Sequence, residues 1–227
     1  MTLRFDVDGG APLEFAPRQL VVAGWTGRDH AAIEHHIQEL AAIGVPPPST
    51  VPLYYRLAAS LLTQAPQIEV LGAGSSGEVE PVLLRARGRW WLSVGSDHTD
   101  RDAERAGVAL SKQLCPKPIA TRAWAWDEIA ARADGLRLRS EIFEDDRWVR
   151  YQDGTLAQIR PLADLLAGLP ADVLHDDGLV MFCGTLAAIP ASDGRGVRPA
   201  ARMRLQLIDG ARALSHEYAT TALRVVA

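Results

Sequence analysis

The sequence is poor in cysteine and has no dense run of basic residues, and each shortage argues against a class of protein. Its two cysteines, Cys115 and Cys183, lie far apart and form no CxxC pair, so we expect neither a disulfide framework nor a cysteine zinc site. Lysine and arginine number 24 against 28 acidic residues, a net charge of −4, which does not suit a nucleic-acid-binding surface. No apolar run approaches the roughly 18 residues of a membrane span, and the first twenty residues contain no signal-peptide core. We therefore expect a cytoplasmic protein without nucleic-acid or membrane partners.

The amino-acid composition is otherwise typical of a globular domain, with 48% hydrophobic and 23% charged residues in a chain of 227. Glycine and proline are spread throughout, so no linker divides the chain. The segments are mostly β-like, and we predict a single β-rich α+β domain over 1–227 with few short helices. Within it, a small strand-and-helix segment at about 1–65 contains one amphipathic helix over 28–44 and a second short helical stretch over 52–64.

A hairpin over residues 77–102 gathers carboxylates. Arg87-Gly88 is the expected two-residue turn between two apolar strands, which places Glu78 opposite Asp97. Glu78 and Glu80 share a face because strand side chains alternate, and opposed Cβ atoms lie about 4.5–5.5 Å apart. Three converging carboxylates require protonation or a cation, and all-oxygen ligands suit a hard cation such as Mg²⁺, Ca²⁺ or Mn²⁺. The alternative is a solvated sheet face on which these acids never meet.

His36 and Glu39 form a second candidate group on the first predicted helix. At a spacing of three, the carboxylate can reach the imidazole and orient it as a general base. The alternative is an ordinary surface pair. Lys112 and Thr185 border apolar runs, where each alone would be interpreted as a cap or strand-end residue.

The order of these motifs resembles the fumarylacetoacetate hydrolase superfamily, over roughly residues 20 to 220. HHIQEL at 35–40 is similar to the family's H-x-x-E-L helix, GEVEPVLL at 77–84 to its E-x-E-L strand, and GSDHTDRD at 95–102 to its N-D-x-T-A-R-D motif. SKQLCPKPIA at 111–120 and GLVMFCGTLAAIP at 178–190 resemble its later lysine and G-T-P segments. The chain departs from the family at His98 and Asp100, and it lacks the proline turn after Thr185.

The resemblance implies a fumarylacetoacetate-hydrolase-like mixed β-roll or sandwich and a role for each matching residue. Glu78, Glu80 and Asp97 match the metal ligands. His36 and Glu39 match the catalytic dyad on a lid, and Lys112 matches a catalytic lysine. Arg101, Gln152 and Thr185 match substrate-binding residues. The cofactor implied is Mg²⁺ (or Mn²⁺ or Ca²⁺), and family members are usually homodimers.

These expectations combine into a function. We predict a metal-dependent hydrolase that cleaves a carbon–carbon bond in a small acylpyruvate-like 1,3-diketo or 2-oxo acid. A decarboxylase, hydratase or tautomerase acting on a related 2-oxo acid is an alternative. A non-catalytic protein that binds a small acid around a structural cation is another.

Overall fold

The computed structural model describes residues 1–42, 47–224 and 226, without the side chains of His30, Ala32, His36, Glu39, Leu40 and Ala42. Its strands are β1 (Leu3–Val7), β2 (Leu13–Phe15), β3 (Gln19–Gly24), β4 (Leu53–Leu57), β5 (Leu62–Thr63), β6 (Gln67–Leu71), β7 (Ser75–Ser76), β8 (Val79–Ala86), β9 (Arg89–Ser96), β10 (Thr99–Asp100), β11 (Lys117–Pro118), β12 (Arg122–Ala125), β13 (Arg137–Glu144), β14 (Arg147–Thr155), β15 (Leu179–Phe182), β16 (Arg202–Asp209) and β17 (Arg212–Leu223). The helices are α1 (His30–Ala42), α2 (Val108–Gln113), α3 (Trp126–Ile129), α4 (Leu162–Ala167) and α5 (Ala171–Leu174). The prediction of a β-rich α+β fold with few short helices is confirmed.

Two large sheets carry most of the strands. The larger has the order β2-β1-β12-β9-β8-β15-β3-β4, and the smaller has the order β14-β13-β16-β17-β6. Strands β10 and β7 form one two-stranded ribbon, and β11 and β5 form another. Because β1, β3 and β4 are integral to the larger sheet, the N-terminal segment at about 1–65 is largely structural. Among the described residues no helix is long and apolar enough to cross a membrane.

The core lies on both faces of the larger sheet. Leu83 and Leu92 face the smaller sheet, where they join a cluster with Leu138 and Leu207. Val82 faces the opposite side and joins a second apolar cluster. A strand that is buried on both faces is continuously apolar instead of alternating, which explains the run PVLL in β8. The burial of both faces also means that a charged side chain at the end of this strand lies deep in the protein.

The hairpin of β8 and β9 has the predicted register. Arg87 and Gly88 form its two-residue loop with φ values of 55° and 71°, as a type I′ turn requires. Val79 pairs with Ser96, and Glu80 pairs with Gly95. The turn chemistry and the strand lengths therefore determine which residues meet at the far end of the hairpin.

The predicted second helix, over 52–64, is wrong. Leu53–Leu57 is strand β4, which pairs antiparallel with β3, and only a short 3-10 turn follows at Ala59–Leu61. Tyr54 and Tyr55 favour a strand, and pairing with the edge of the larger sheet outweighs the helical spacing of the apolar residues. The predicted first helix is present as α1, and the Asp29 side chain caps it by accepting a hydrogen bond from the backbone N–H of Ala31 at 2.9 Å.

Candidate functional site

The open end of the β8–β9 hairpin brings Glu78, Glu80 and Asp97 to neighbouring positions. The backbone N–H of Asp97 donates to the carbonyl oxygen of Glu78 at 3.0 Å, which extends the predicted pairing by one step. Asp97 is completely buried and Glu80 is 2% exposed. The hairpin therefore holds carboxylates in an interior position where unpaired charge is strongly disfavoured.

Asp97 is neutralised by two lysines. The ammonium group of Lys112 forms an ion pair with Oδ2 of Asp97, and Lys117 Nζ lies 3.3 Å from Oδ1. Burial alone would raise the pKa of Asp97, but the two ammonium groups outweigh it and hold the pKa at about 2. Asp97 is therefore a charged group at neutral pH.

Glu80 is in the opposite electrostatic situation. Its Oε2 accepts a hydrogen bond from the backbone N–H of Gly184 at 2.8 Å, and none of the described side chains forms an ion pair with it. Burial, followed by the charge of Asp97, raises the pKa of Glu80 well above its ordinary value, although Lys112 and the Gly184 N–H oppose the rise. Glu80 is the carboxylate of the cluster whose charge is least compensated.

Arg101 links two further carboxylates. Its guanidinium lies 3.0 Å from Glu78 Oε2 and 2.8 Å from Glu104 Oε1, and its Nε donates to Ser76 Oγ at 2.7 Å. Burial alone would lower the pKa of Arg101, but the two glutamates outweigh it and raise the pKa. The arginine is thus fixed in place at the entrance to the cluster.

Lys117 was not singled out by the sequence, although it lies within the SKQLCPKPIA segment. Its side chain is completely buried, and Nζ donates to the carbonyl oxygens of His98, Lys112 and Cys115. One ammonium group therefore joins the Asp97 loop to the end of helix α2. Two of these carbonyls are close in sequence, but the contacts with His98 and Asp97 come from an earlier part of the chain, which no local motif signals.

His98, where the sequence departs from its relatives, is also buried. Nδ1 lies 2.9 Å from the hydroxyl of Tyr218, and Nε2 lies 2.9 Å from Oγ of Ser75. Burial, with the charges of Lys117 and Arg101, lowers the pKa of His98 to about 3. A neutral imidazole with both nitrogens in hydrogen-bonding contact fits a structural role behind Asp97.

Gln152 and Thr185 occupy adjoining layers. Gln152 Nε2 donates to Thr185 Oγ1 and to the Leu186 carbonyl, both at 2.7 Å, while Oε1 accepts from Val79 N and from the Ser140 hydroxyl, both at 2.9 Å. Gln152 thus lies behind Thr185, and this geometry gives it an orienting role. Contact of either residue with a substrate stays a prediction.

The predicted dyad falls outside the described side chains. The backbones of His36 and Glu39 belong to helix α1, and Asp29 and Ile33 at the start of that helix border a large cavity beside the hairpin end. The catalytic roles of His36 and Glu39 therefore stay predictions.

A cavity of about 1070 Å³ opens beside the hairpin end. Its polar end contains Glu78, Glu80, Arg101, Glu104 and Lys112. With Asp97 and Lys117 directly behind, four acidic side chains meet three basic ones, and each of those bases is already in an ion pair with a carboxylate. The polar end is consequently short of positive charge.

The donor chemistry of this end fits a hard divalent cation, since carboxylate oxygens are the ligands such ions prefer. Within the described part of the chain, no three His, Cys, Asp or Glu side chains are grouped so as to hold an ion. In the structure Asp97 instead contacts Lys112, and Glu78 contacts Arg101. Binding of a cation by all three predicted ligands would require these pairs to rearrange.

Most of the chain matches one known protein family. The sequence model of DUF2848, described as a protein of unknown function, matches residues 23–218. The chain belongs to the DUF2848 family. The match begins two residues before Trp25 and ends at Tyr218, so it includes every residue of the site. No curated protein matches this DUF2848 chain.

Solved structures similar to the DUF2848 chain share its fold. An apo 2-keto-3-deoxy-D-arabinonate dehydratase has a TM-score of 0.66 at 15% identity, over 93% of this chain and 75% of that one. The same dehydratase complexed with magnesium and 2,5-dioxopentanoate has a TM-score of 0.64 at 14% identity, over 97% and 79%. A structure of Cg1458 has a TM-score of 0.64 at 14% identity, over 94% and 78%. At these identities the likeness shows the fold alone, and the predicted fumarylacetoacetate-hydrolase-like fold class is confirmed.

Proposed function

We propose that the protein is a divalent-metal-dependent enzyme of the fumarylacetoacetate hydrolase superfamily that acts on a small 2-oxo acid. The observation that carries the proposal is geometric: the Glu80 carboxyl group is buried without an ion-pair partner among the described residues, in a cavity end where four acidic side chains meet three basic ones. With Glu80 ionised, the acids at this end outnumber the bases by one, and a bound cation would offset that excess for an anionic substrate. The similar dehydratase that is complexed with magnesium and a dioxo acid supports the same conclusion.

Glu78, Glu80 and Asp97 are the residues that would hold the ion, with Mg²⁺ as the first candidate and Mn²⁺ or Ca²⁺ as alternatives. When bound, Mg²⁺ supplies a Lewis acid that polarises the 2-oxo carbonyl. Lys112 and Arg101 border the same end of the cavity and stabilise negative charge as it develops on the substrate oxygens. Their own pKa values are raised, so both remain cationic at neutral pH.

Carbon–carbon hydrolysis is the reaction we place first, following the family resemblance. His36, oriented by Glu39, takes a proton from water, and the hydroxide attacks the carbonyl distal to the carboxylate. The bond next to that carbonyl breaks, and its electron pair is delocalised into the 2-oxo group, where Lys112 donates a hydrogen bond. The carbon released is then protonated, so one water is consumed and the substrate leaves as two acids.

Dehydration is the second candidate, because the structurally similar enzyme is named a dehydratase. Decarboxylation and tautomerisation need the same stabilisation of charge on the 2-oxo group. Products distinguish these reactions by mass: hydrolysis gives two fragments, dehydration loses water, decarboxylation loses carbon dioxide, and tautomerisation changes no mass. A panel of acylpyruvates, oxaloacetate and 3-deoxy-2-oxo sugar acids, each with Mg²⁺, is the direct test.

Metal binding has its own test in thermal unfolding. Mg²⁺ at about 100 times its dissociation constant should stabilise the wild type by roughly 2.7 kcal/mol, or about 5–11 °C in a chain of this size. Glu80→Gln should lose this shift, whereas Glu69→Gln, on the exposed edge of β6, should keep it. A wild type without any Mg²⁺-linked shift and without turnover of the panel would contradict the proposal.

A non-catalytic acid-binding protein with a structural cation is the rival. It predicts the Mg²⁺ shift and binding of oxalate, but no turnover that His36→Ala abolishes. The homodimer implied by the resemblance, the single catalytic domain with a lid and the cytoplasmic location stay predictions. Light scattering checks the oligomeric state.

A further inference from the structure

The cavity has a second, chemically different wall. Besides the charged groups it is lined by Trp25, Ile33, Tyr55, Leu186 and Val197. Val197 is 47% exposed, and Trp25, Ile33 and Tyr55 are half-buried. Apolar side chains left partly open on a concave surface beside polar groups are typical of a ligand site.

Trp25 adopts a backbone conformation that a bulky residue avoids. It follows β3 with φ of 61°, in the left-handed region. Such conformations persist where the surrounding structure imposes them, and they cluster at binding and active sites. The strain therefore coincides with the position of the indole on the cavity wall.

Tyr55 joins this wall to the polar end. Lys112 Nζ lies 5.9 Å from the centroid of the Tyr55 ring, and the Trp25 indole N–H lies 3.4 Å from the Tyr55 hydroxyl. The ring also packs on Gly24, where an added Cβ would lie 2.9 Å from Cε2 of Tyr55. A ligand whose charged end meets Lys112 would therefore extend along Tyr55 towards Trp25.

On this side of the cavity, Arg28 and the polar atoms of Trp25 and Tyr55 already have hydrogen-bond partners. Arg28 binds Asp134 through two hydrogen bonds of 2.8 Å and donates to the Ile159 carbonyl at 2.9 Å. The Trp25 and Tyr55 polar atoms face each other. The volume of about 1070 Å³ also exceeds what an acid of three to five carbons fills.

We propose that the substrate is a 2-oxo acid carrying a planar apolar group, of the aromatic-ring class, which packs against Trp25 and Tyr55. This deepens the proposed function and rests on it. The polar end receives the 2-oxo acid and the aromatic wall selects the substituent. A polyhydroxylated acid, of the kind named for the similar dehydratase, is disfavoured.

Two inert acids test the inference by calorimetry in the presence of Mg²⁺. Oxamate and N-phenyloxamate share the 2-oxo acid unit and differ only in the phenyl group. N-phenyloxamate should bind the wild type about tenfold more tightly. Trp25→Ala should remove that preference, so that the two acids bind with similar affinity, while Trp25→Phe should restore part of it.

Two further variants guard against a general loss of structure. Trp25→Gly relieves the left-handed strain, so it should unfold no earlier than Trp25→Ala and still lack the preference. Trp148 lies on the other sheet, where its indole ring stacks against Arg204 at 3.8 Å. Trp148→Ala should therefore keep the preference for N-phenyloxamate. If oxamate binds but the phenyl group adds no affinity, the inference is overturned and the proposed function stands. If neither acid binds with Mg²⁺, both are overturned.

Discussion

Replacement of Lys117 by methionine tests how the carboxylate cluster is held together. The variant keeps an unbranched stem as long as the four-carbon stem of lysine and removes the ammonium group from a site with no exposed surface. It removes the hydrogen-bond donor to the carbonyl oxygens of His98, Lys112 and Cys115, and it leaves Asp97 with one cationic partner instead of two. Burial lowers the pKa of Lys117, and Asp97 only partly opposes this, so the ammonium group is itself costly to keep in the interior.

The expected magnitude follows from these opposing terms. Each hydrogen bond from a charged donor contributes about 1.5–3 kcal/mol. The sum for three such bonds exceeds the loss of stability that is usually measured when a buried ion pair is broken. Removal of the ammonium recovers its desolvation penalty, which is several kcal/mol. Broken buried ion pairs accordingly cost about 3–5 kcal/mol net. That loss corresponds to a melting temperature lower by roughly 6–20 °C in a chain of this size.

Urea unfolding followed by circular dichroism measures the change, with Lys112→Met as the matched control. Lys112 pairs with the same carboxylate, but it borders the cavity and donates to none of those three carbonyls, so its loss should cost about 3 kcal/mol, the low end for a broken buried pair. Adding Asp97→Asn to Lys117→Met should recover part of the loss, because the carboxylate no longer needs a cation. A Lys117→Met protein within about 1 kcal/mol of wild type would refute the reasoning, since buried-pair loss should exceed that.

Three further perturbations follow from separate parts of the structure. Gly184→Ala should destabilise severely, because φ is +96° and a Cβ would lie 1.6 Å from Thr26 Oγ1, whereas Gly210→Ala, at φ +59° with open space, should cost only about 1 kcal/mol in thermal unfolding. Gln152→Leu should cost about 2–3 kcal/mol by leaving buried backbone groups unpaired, and equal stability in urea would contradict the orienting role. Hydrogen bonds from arginine guanidinium groups lower the pKa of Asp153 to about 2 from 3.8, so its contribution is present above pH 4 and lost as pH falls through 2. Asp153→Asn should therefore cost about 1 kcal/mol at pH 7, allowing for solvent screening, and nothing near pH 1.5; a loss independent of pH would count against the ion pairs.

Local patterns were sufficient to predict the hairpin that builds the site. Arg87-Gly88 determined a two-residue loop, and alternation along the strands then placed Glu78 opposite Asp97. The same local reasoning failed for Leu53–Leu57, whose strand character comes from pairing with β3 at the sheet edge. Sequence spacing describes only a residue's neighbours along the chain. It therefore cannot predict a contact with a strand that is remote in sequence.

The residues that the sequence missed belong to that non-local class. Lys117 is significant because its buried ammonium group meets Asp97 and the carbonyl oxygen of His98, both from an earlier part of the chain. Trp25 would be interpreted from composition as core filling, and its positive φ appears only in the folded backbone. The sequence shows which residues of the cluster carry charge, but it does not show which cationic side chain pairs with which carboxylate.

That pairing has a consequence for how a cation would enter. Asp97 is held ionised by Lys112 and Lys117, whereas Glu80 has no described ion-pair partner and its pKa is raised. A divalent ion that binds at this end would therefore gain most from Glu80, the carboxyl group without a described cationic partner. To bind Asp97 as well, it must compete with Lys112. The competition would free the Lys112 ammonium beside Tyr55, at the junction of the polar end and the aromatic wall. Cation binding and the appearance of a free positive charge for the substrate would then be one event, which couples metal affinity to acid affinity at this site.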